Sequence, residues 1–387
     1  ELVRKGWERV LRARLEDARF FWQVDGKAHL ETWLEELDKV IFLGPLGSMG
    51  EKARRLKALA MDVAARVAPE AQAASGRAAR LAKTDLVSEM VGEFAELQGL
   101  MGGIYTRQKG ESAAVAQAVA EHYLPTGPES SVPKSEPGAV VALVDKADTL
   151  VGCFGLEMVP SGANDPYALR RHALGVVRIL LEYGWRLSLR EIFSRALRAY
   201  GREVEWKTDP AAALEQLDIF FGHRLKAYFQ GMGYGTKIVD AALGAGWDDI
   251  PALAHRLHAL HGFAAEHDFE QAVLTFKRAD NIIRKQGAQI AGRLDGNYAR
   301  EFLCEEQERE LASALEDLAP RWSRLWEEED FEALFGLLRE LRPVVDGFFD
   351  HVMVMCDDPD VRQNRLNLLK ALTDRLSLLA DFSKLQV

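Results

Sequence analysis

The sequence predicts an all-α protein, and three observations support this prediction. Apolar residues recur at three- and four-residue spacing along most of the chain, as they do on one face of a helix. No stretch alternates convincingly between apolar and polar residues, so we expect no strands. Asp-Pro pairs such as Asp209-Pro210 stand where helices would begin, because Asp caps a helix and Pro fits its first turn.

The predicted helices follow one another with short connections. In the first part we expect helices at 6–25, 28–43, 50–68, 70–92, 95–107 and 111–123, and then a proline-rich loop at 125–138. Further helices are expected at 139–152, 165–184, 187–200, 210–230, 236–243 and 250–263, ahead of a C-terminal helix bundle. Asp165 is the expected N-cap of its helix, with Pro166 at the first position. We predict three domains from this order: 1–205, 206–270 and 271–387.

The C-terminal stretch predicts two antiparallel helices joined by an acidic turn. The turn is Asp357-Asp358-Pro359-Asp360, and Pro359 is placed to start the second helix. The apolar stripe of the first helix is Val345, Phe348, Phe349 and Val352, and that of the second is Leu366, Leu369, Leu372, Leu376 and Leu379. Each stripe has the spacing of one face of a helix.

Composition excludes several classes of protein. No run of 18 apolar residues is present, and the first residues are charged with no apolar region after them, so neither a membrane span nor a signal peptide is expected. The three cysteines are Cys153, Cys304 and Cys356, which are far apart and form no CxxC pair. Buried free thiols in a reducing cytosol are the simple interpretation, and a cytoplasmic location is expected.

The net charge of −10 makes the chain a poor polyanion binder as a whole. RNA binding would therefore need a local basic face, because phosphate affinity comes from clustered Lys and Arg. The segment 277–300 is the candidate, and its basic residues are Lys277, Arg278, Arg284, Lys285, Arg293 and Arg300. From charge alone, a face that merely contacts water is an equally good interpretation.

No motif predicts an active site in this chain. The glycine-rich stretch 231–237 lacks a preceding strand and the spacing of a phosphate-binding loop, so it is interpreted as a helix end and turn. His267-Asp268 has no second histidine suitably placed, and the histidines are scattered, so no metal site is expected. There is no Gly-x-Ser-x-Gly elbow, and no cysteine has the context of a nucleophile.

Two apolar helices about 60 residues apart carry paired carboxylates. They contain Lys83 with Asp85, and Asp145 with Asp148. The arrangement resembles the helices of HD phosphohydrolases, which bind metal through a His-Asp doublet and a later Asp, but here the doublet's His is missing. We expect an HD-like fold without metal or hydrolysis, in which these residues form a buried ion-pair network. Arg170 or Arg171 is expected to pair with Asp145 or Asp148.

Several longer segments resemble the β chain of bacterial glycyl-tRNA synthetase. They lie, in the same order, at 9–21, 82–94, 96–102, 145–150 and 165–171. The C-terminal stretch around Arg362-x-Asn364-Arg365 resembles the helical anticodon-binding domain that this β chain shares with arginyl-tRNA synthetases. The sequence departs from the family pattern at Gly102-Gly103, where an extra glycine is expected to loosen a helix.

The resemblance implies a function for the chain. The family's β chain is longer, so this would be its C-terminal portion: an HD-like domain, a helical connecting region and an anticodon-binding helix bundle. It would bind tRNA-Gly without an active site or cofactor of its own. The partner α chain would use ATP to make glycyl-adenylate within a heterotetramer, as part of an aminoacyl-tRNA ligase for protein biosynthesis.

The expected RNA contacts combine both lines of argument. Lys277, Arg278, Arg284, Lys285 and Arg293 are expected at phosphates, and Asn281 at a base edge because its amide both donates and accepts. Arg362 and Arg365 are a second candidate set, with the alternative that they cap a helix and pair with Asp357 or Asp358. An HD-type phosphohydrolase with unusual ligands and a helical protein-binding scaffold remain as alternative functions.

Overall fold

The computed structural model describes residues 1–201, 204–286 and 294–385. Within these residues the chain forms seventeen α-helices, and its β-pairing is limited to two isolated bridges, which confirms the all-α prediction. The first ten helices are α1 (Leu2–Asp25), α2 (Leu30–Glu36), α3 (Met49–Val67), α4 (Gln72–Leu81), α5 (Glu89–Glu93), α6 (Leu100–Gln108), α7 (Ala113–Glu121), α8 (Glu136–Gly155), α9 (Leu169–Tyr183) and α10 (Leu189–Ala199). The others are α11 (Pro210–Gly231), α12 (Thr236–Gly244), α13 (Ile250–Ala264), α14 (Phe269–Gln286), α15 (Glu306–Glu327), α16 (Phe331–His351) and α17 (Pro359–Leu379).

The chain forms two compact units whose boundary lies within α11. The N-terminal unit is Glu1–Arg224 and the C-terminal unit is Leu225–Val387. The division into three domains stays a prediction. No helix in the described parts of the chain is long and apolar enough to cross a membrane.

Helix α8 is the centre of the N-terminal unit. Every residue from Gly138 to Gly155 is buried, because α3, α4, α7, α9 and α10 all pack around it. A helix enclosed on all sides must be apolar around its whole circumference, which explains the run of Val, Ala and Leu in this segment. Charged groups on α8 therefore need partners from the surrounding helices.

Several helix boundaries differ from the sequence prediction, and a polar side chain is involved in three of them. The helix expected at 70–92 breaks after α4, where Asp85 turns inward and accepts hydrogen bonds from the backbone N–H groups of Gly99 (2.6 Å) and Gly102 (3.0 Å). Helix α8 begins earlier than expected because Ser135 caps it through the N–H of Gly138. Asp165 does accept from the N–H groups of α9, but the helix begins only at Leu169.

The extra glycine of α6 does not interrupt that helix, which runs from Leu100 to Gln108. A Cβ atom at Gly103 would lie 2.7 Å from the carbonyl oxygen of Ala116 on α7. The missing side chain therefore allows α6 and α7 to approach closely, so the expected loosening is replaced by tighter packing.

Helix α1 presents an apolar stripe to solvent. Trp7 is 64% exposed and Leu15 70% exposed, and Leu11 lies between them on the same side. Near its end the helix is tied to the unit by Asp25, whose carboxylate accepts from the N–H groups of Glu89 and Met90.

The C-terminal unit is a bundle in which α14, α15, α16 and α17 pack on one another and α13 packs on α16. The stripe residues Val345, Phe348, Phe349 and Val352 are buried, as are Leu366, Leu369, Leu372, Leu376 and Leu379. Pro359 is the first residue of α17, and the Asp358 carboxylate accepts from the N–H groups of Asp360 and Val361. The predicted pair of helices with an acidic turn is confirmed.

Candidate RNA-binding surface and the buried ion-pair network

Helix α14 carries the basic residues that were expected to meet RNA. Its inner face is buried through Ala272, Val273, Thr275, Phe276 and Ala279. Its outer face consists of half-buried Lys277 together with exposed Arg278, Asn281, Arg284 and Lys285. The periodicity of one helix thus places all five predicted contacts on solvent-facing positions. The sixth, Arg293, lies outside the described residues.

Two of these arginines already have protein partners. The Arg284 guanidinium lies 2.8 Å from Asp280 and 3.1 Å from Asp381. Arg278 is placed over the ring of Phe349, with its Cζ atom 4.4 Å from the ring centroid. Lys277 and Lys285 form no ion pair with any described residue, so their ammonium groups are the better placed of the set to meet phosphates.

The Arg362-x-Asn364-Arg365 segment, on α17, acts mainly within the fold. The Arg365 guanidinium is 5% exposed, pairs with the fully buried Glu308 of α15, and donates to the carbonyl oxygen of Met353 (2.9 Å). Arg365 was predicted either as an RNA contact or as a structural residue, and its burial favours the structural alternative. Its role as an RNA contact stays a prediction. Its partners are Glu308 and a backbone carbonyl, rather than the expected Asp357 or Asp358.

Asn364 and Arg362 hold the loops that flank the C-terminal helices. The Asn364 amide accepts from the N–H of Ala299 (2.7 Å) and donates to its carbonyl (3.0 Å), which ties the chain before α15 to α17. Arg362 is half-buried and donates to the carbonyl oxygen of Cys356 (2.9 Å). The role of Arg362 as an RNA contact stays a prediction.

Sequence reasoning missed two exposed methionines in the turn before α17. Met353 is 74% exposed and Met355 is 42% exposed. They alternate with Val352 and Val354, which are buried, as expected for a short extended segment. That alternation was present in the sequence and could have identified them as a small apolar surface beside the acidic turn.

The carboxylates of the N-terminal unit form a buried network with basic residues of α3. Asp148 on α8 is fully buried, and it accepts from Lys52 Nζ (2.9 Å) and from Arg55 Nε (2.8 Å). The hydroxyl group of Tyr200 lies 3.1 Å from the same carboxylate. A Cβ atom at Gly152 would lie 2.4 Å from that hydroxyl, so glycine on α8 leaves the space that Tyr200 needs.

Asp145 is held by two lysines, one of which also contacts a histidine. Lys83 Nζ donates to Asp145 Oδ2 (2.9 Å) and lies 3.0 Å from His122 Nε2. Lys52 Nζ is 3.0 Å from Asp145 Oδ1, an ion-pair contact without the alignment of a hydrogen bond. Because an ammonium group cannot accept, His122 must accept through Nε2 and donate through Nδ1 to the carbonyl oxygen of Val119 (2.6 Å). His122 is therefore neutral.

The pKa values of these groups follow from burial and from their partners. Burial alone would raise the pKa of Asp145, but Lys52 and Lys83 outweigh it and hold that pKa well below its usual range. The pKa of Asp148 is lowered in the same way, against burial, by Lys52 and Arg55. Burial raises the pKa of Asp85, opposed by the N–H groups of Gly99 and Gly102. Burial, with Lys83 beside it, places the pKa of His122 well below its usual range.

The expectation that Arg170 or Arg171 pairs with Asp145 or Asp148 is wrong. The two carboxylates take their partners from α3 and from Lys83, whereas Arg170 is half-buried and Arg171 exposed on the first turn of α9. Lys52 and Arg55 were missed because the helix at 50–68 was interpreted through its apolar face alone. Two cations three residues apart on the buried side of an Ala-rich helix were the available signal.

The network does not suit a metal ion. The carboxylates of Asp145 and Asp148 are surrounded by ammonium and guanidinium groups, which occupy the positions from which a cation would approach. Within the described ranges, no group of three or more His, Cys, Asp or Glu side chains could hold a metal ion. The neutralised carboxylates fit a structural role in the core of the unit.

Two protein-family models match this chain. The family model described as glycyl-tRNA synthetase beta subunit matches residues 1–244. The model described as DALR anticodon binding domain matches residues 273–381, which contain most of α14 and all of α15, α16 and α17.

Curated relatives match the whole of this chain. The glycine--tRNA ligase beta subunit of Oleidesulfovibrio alaskensis is 59% identical over 386 residues, which are 100% of this chain and 55% of the relative. The corresponding protein of Nitratidesulfovibrio vulgaris (strain Hildenborough) is 58% identical over 387 residues, or 100% of this chain and 56% of the relative. That of Myxococcus xanthus is 41% identical over 390 residues, again 100% and 55%. The chain spans about half the length of the curated relatives it matches. Because the beta subunit model matches more than half of this chain, we conclude that the chain belongs to the glycyl-tRNA synthetase beta subunit family.

Proposed function

We propose that this chain is the tRNA-binding, non-catalytic portion of a glycine–tRNA ligase β chain. The observation that carries the proposal is the anticodon-binding family match at 273–381, on a bundle whose α14 exposes basic side chains to solvent. An acidic protein can bind RNA if its cations are concentrated on one surface, because phosphate contacts are local. Helix α14 provides such a surface.

The side chains of α14 divide into two roles. Lys277 and Lys285 bind phosphates, which positions the RNA without reading its sequence. Asn281 lies on the same face, and its amide can pair with the edge of an unstacked anticodon base. Arg278 contributes a guanidinium fixed over Phe349, a plane on which a base can stack.

The remaining chemistry belongs to a partner. We propose that a glycyl-tRNA synthetase α chain binds ATP and glycine and attaches the amino acid, within a heterotetramer of α and β chains in the cytoplasm. The N-terminal unit supports this assignment of roles, because its carboxylates are neutralised by lysines and arginine and have no free geometry for acid–base or metal chemistry. This argues against the alternative of an HD-type phosphohydrolase.

The test is a binding titration of the full-length β chain with tRNA-Gly and with the same tRNA altered at the anticodon, at several salt concentrations. We expect saturable binding that is stronger for the unaltered anticodon, with log affinity falling linearly with log salt. When the α chain, glycine and ATP are then added, we expect glycine to be attached to the tRNA. Equal affinity for both tRNAs would contradict anticodon recognition, and absence of salt-dependent binding would favour a protein-binding scaffold instead.

A further inference from the structure

A cavity of about 410 Å³ opens beside the buried ion-pair network of the N-terminal unit. It lies at the start of α9, and the side chains that matter for its chemistry are Lys146, Arg171, His172, Tyr123, Thr126 and Glu96. Sites for small molecules commonly enclose about 300–1,000 Å³ and combine apolar walls with a few placed polar groups. This cavity has that size and that character.

Lys146 forms the innermost charged group of the cavity. Its side chain comes from α8 and is 2% exposed. The ammonium group donates to the carbonyl oxygens of Tyr123 (3.3 Å) and Leu124 (2.7 Å), and it has three protons to donate. No other hydrogen bond joins it to a described residue, so one donor remains for a ligand in the cavity.

A glycine on helix α9 leaves the space that the side chain of Lys146 occupies. A Cβ atom at Gly175 would lie 2.6 Å from Cε of Lys146. The glycine therefore leaves room for the aliphatic part of this lysine, which keeps the ammonium group at the inner end of the cavity. Adding one methyl group there would displace the charged end at little cost to the backbone.

The outer part of the cavity adds two more donors from the first turn of α9. Arg171 is exposed and forms no ion pair with the described residues, whereas neighbouring Arg170 does not line the cavity. Burial, together with the charge of Lys146, lowers the pKa of His172 to about 4. His172 is therefore neutral near pH 7, and its imidazole N–H can donate a hydrogen bond to an oxyanion.

The charges around the cavity favour an anion. Burial lowers the pKa of Lys146 to about 7, and Lys83 and Lys52 behind it act in the same direction, opposed by Asp145. Near pH 7 the amine of the empty cavity is thus only partly protonated, and an anion binds to its protonated form. A bound anion would offset both the lost hydration and the repulsion between these ammonium groups. One carboxylate, that of Glu96, lies on the cavity wall and opposes binding.

We propose that this cavity binds the phosphate group of a nucleotide-sized phosphomonoester. Lys146 and Arg171 pair with phosphate oxygens, His172 and the Thr126 hydroxyl donate further hydrogen bonds, and the ring of Tyr123 packs against the organic part. A free nucleotide and the end of an RNA strand offer this same chemistry. The proposal does not rest on tRNA recognition by α14, which lies in the other unit.

The test measures binding of inorganic phosphate and of AMP to the full-length protein by calorimetry, in chloride buffer at constant ionic strength. We expect saturable binding, tighter for AMP than for phosphate. Arg171→Gln should raise the Kd of AMP by roughly tenfold, because one charge-assisted hydrogen bond is lost. The matched control is Arg170→Gln, which removes the same charge one residue away and should leave the Kd unchanged.

Replacing the buried Lys146 would disturb folding, so a second variant displaces its side chain instead of removing it. Gly175→Ala should weaken AMP binding by displacing Lys146, with a Tm close to that of the parent protein. Equal effects of the two arginine variants would show nonspecific attraction and overturn the proposal, as would the absence of saturable AMP binding. Saturating tRNA-Gly then distinguishes the sources: loss of AMP binding identifies an RNA end as the occupant, and unchanged binding identifies a free nucleotide.

Discussion

The ion-pair network around α8 and the outer face of α14 use the same residue types for opposite purposes. In the network, Lys52, Arg55 and Lys83 are nearly excluded from water and each contacts a carboxylate. On α14, Lys277 and Lys285 face solvent and no described carboxylate pairs with them. Burial, rather than residue type, therefore decides whether a cation stabilises the fold or remains available to a ligand.

The same contrast occurs within the C-terminal unit. Arg365 is buried against Glu308 and cannot leave it without exposing an unpaired charge to the core. Arg278 is exposed over Phe349 and can meet a second partner without losing its first.

The largest expected effect is the loss of Asp148. Replacing it by Ala leaves Lys52 and Arg55 buried without their shared carboxylate, so we expect unfolding free energy to fall by roughly 3–5 kcal/mol. The control is Asp62→Ala, which removes a half-exposed partner of Arg195 and should cost about 0–1 kcal/mol. Chemical denaturation measures both, and similar losses in the two variants would contradict a role for burial.

Arg365→Ala should come next, with a loss of about 3 kcal/mol, because Glu308 would remain fully buried and unpaired. Replacing both partners by Leu should recover much of that loss, since no charge is then left in the core. Thermal denaturation of the two variants provides the measurement. A tRNA affinity that falls while Tm is unchanged would instead support Arg365 as an RNA contact.

Acidification should destabilise the N-terminal unit through His122. Its pKa in the folded protein is well below the value near 6.5 of an unfolded chain, so the unfolded state binds more protons below that pH. Stability is therefore lost as pH falls from 6.5, by about 1.4 kcal/mol per pH unit for this one group. Because the pKa values of Asp145 and Asp148 are lowered, the contribution of these carboxylates to folding stability is lost only below about pH 4.

The variant His122→Gln isolates this effect. A glutamine can donate to Val119 and accept from Lys83 as the neutral histidine does, but it does not titrate. Its stability should thus fall less steeply than that of the parent between pH 6 and 5. Urea denaturation at the two pH values measures the unfolding free energy of parent and variant. If this free energy falls equally in both between pH 6 and pH 5, His122 is not the group responsible.

A smaller effect on stability, but a clear one on binding, is expected from replacing Lys277 and Lys285 together by Ala. If each meets a phosphate, the slope of log affinity for tRNA-Gly against log salt should flatten by about one to two units. Arg284→Ala should change the slope less, because Asp280 and Asp381 already neutralise that guanidinium. The free energy of unfolding should fall by only about 0–1 kcal/mol for each residue replaced. If the double variant keeps the parental slope of log affinity against log salt, this face only contacts water.

The smallest expected effect concerns Asn281. Its replacement by Ala should narrow the difference in binding free energy between correct and altered anticodons by about 1 kcal/mol, with little change in salt dependence. Paired titrations with the two tRNAs measure this difference. A uniform loss of affinity for both would place Asn281 at the RNA backbone rather than at a base.

Much of the local structure was predictable because it depends on residues close together in the chain. The cap at Asp209, the acidic turn with Pro359 at the start of a helix, and the two C-terminal stripes were predicted from local sequence and are confirmed. The break after α4 was not predicted, because Asp85 turns inward to meet N–H groups that come 14 and 17 residues later. Apolar periodicity cannot reveal such a contact.

The site followed the same division. One helix's periodicity sufficed to place Lys277, Arg278, Asn281, Arg284 and Lys285 on an outer face. It could not show that Arg284 meets Asp381, which lies 97 residues away along the chain. Nor could it show that Arg365 is buried against a glutamate from another helix.

The all-helical fold, the start of many helices, and the need for charged partners at Asp145 and Asp148 could all be predicted from the sequence. These properties depend on local capping, on apolar spacing and on the cost of burying a charge. Tertiary structure alone decided which cations pair with them: Arg55 reaches Asp148 across 93 residues, and Arg170 and Arg171 are left outside. Electrostatic partners are chosen by distance and burial in three dimensions, and neither is encoded in the spacing of any single helix.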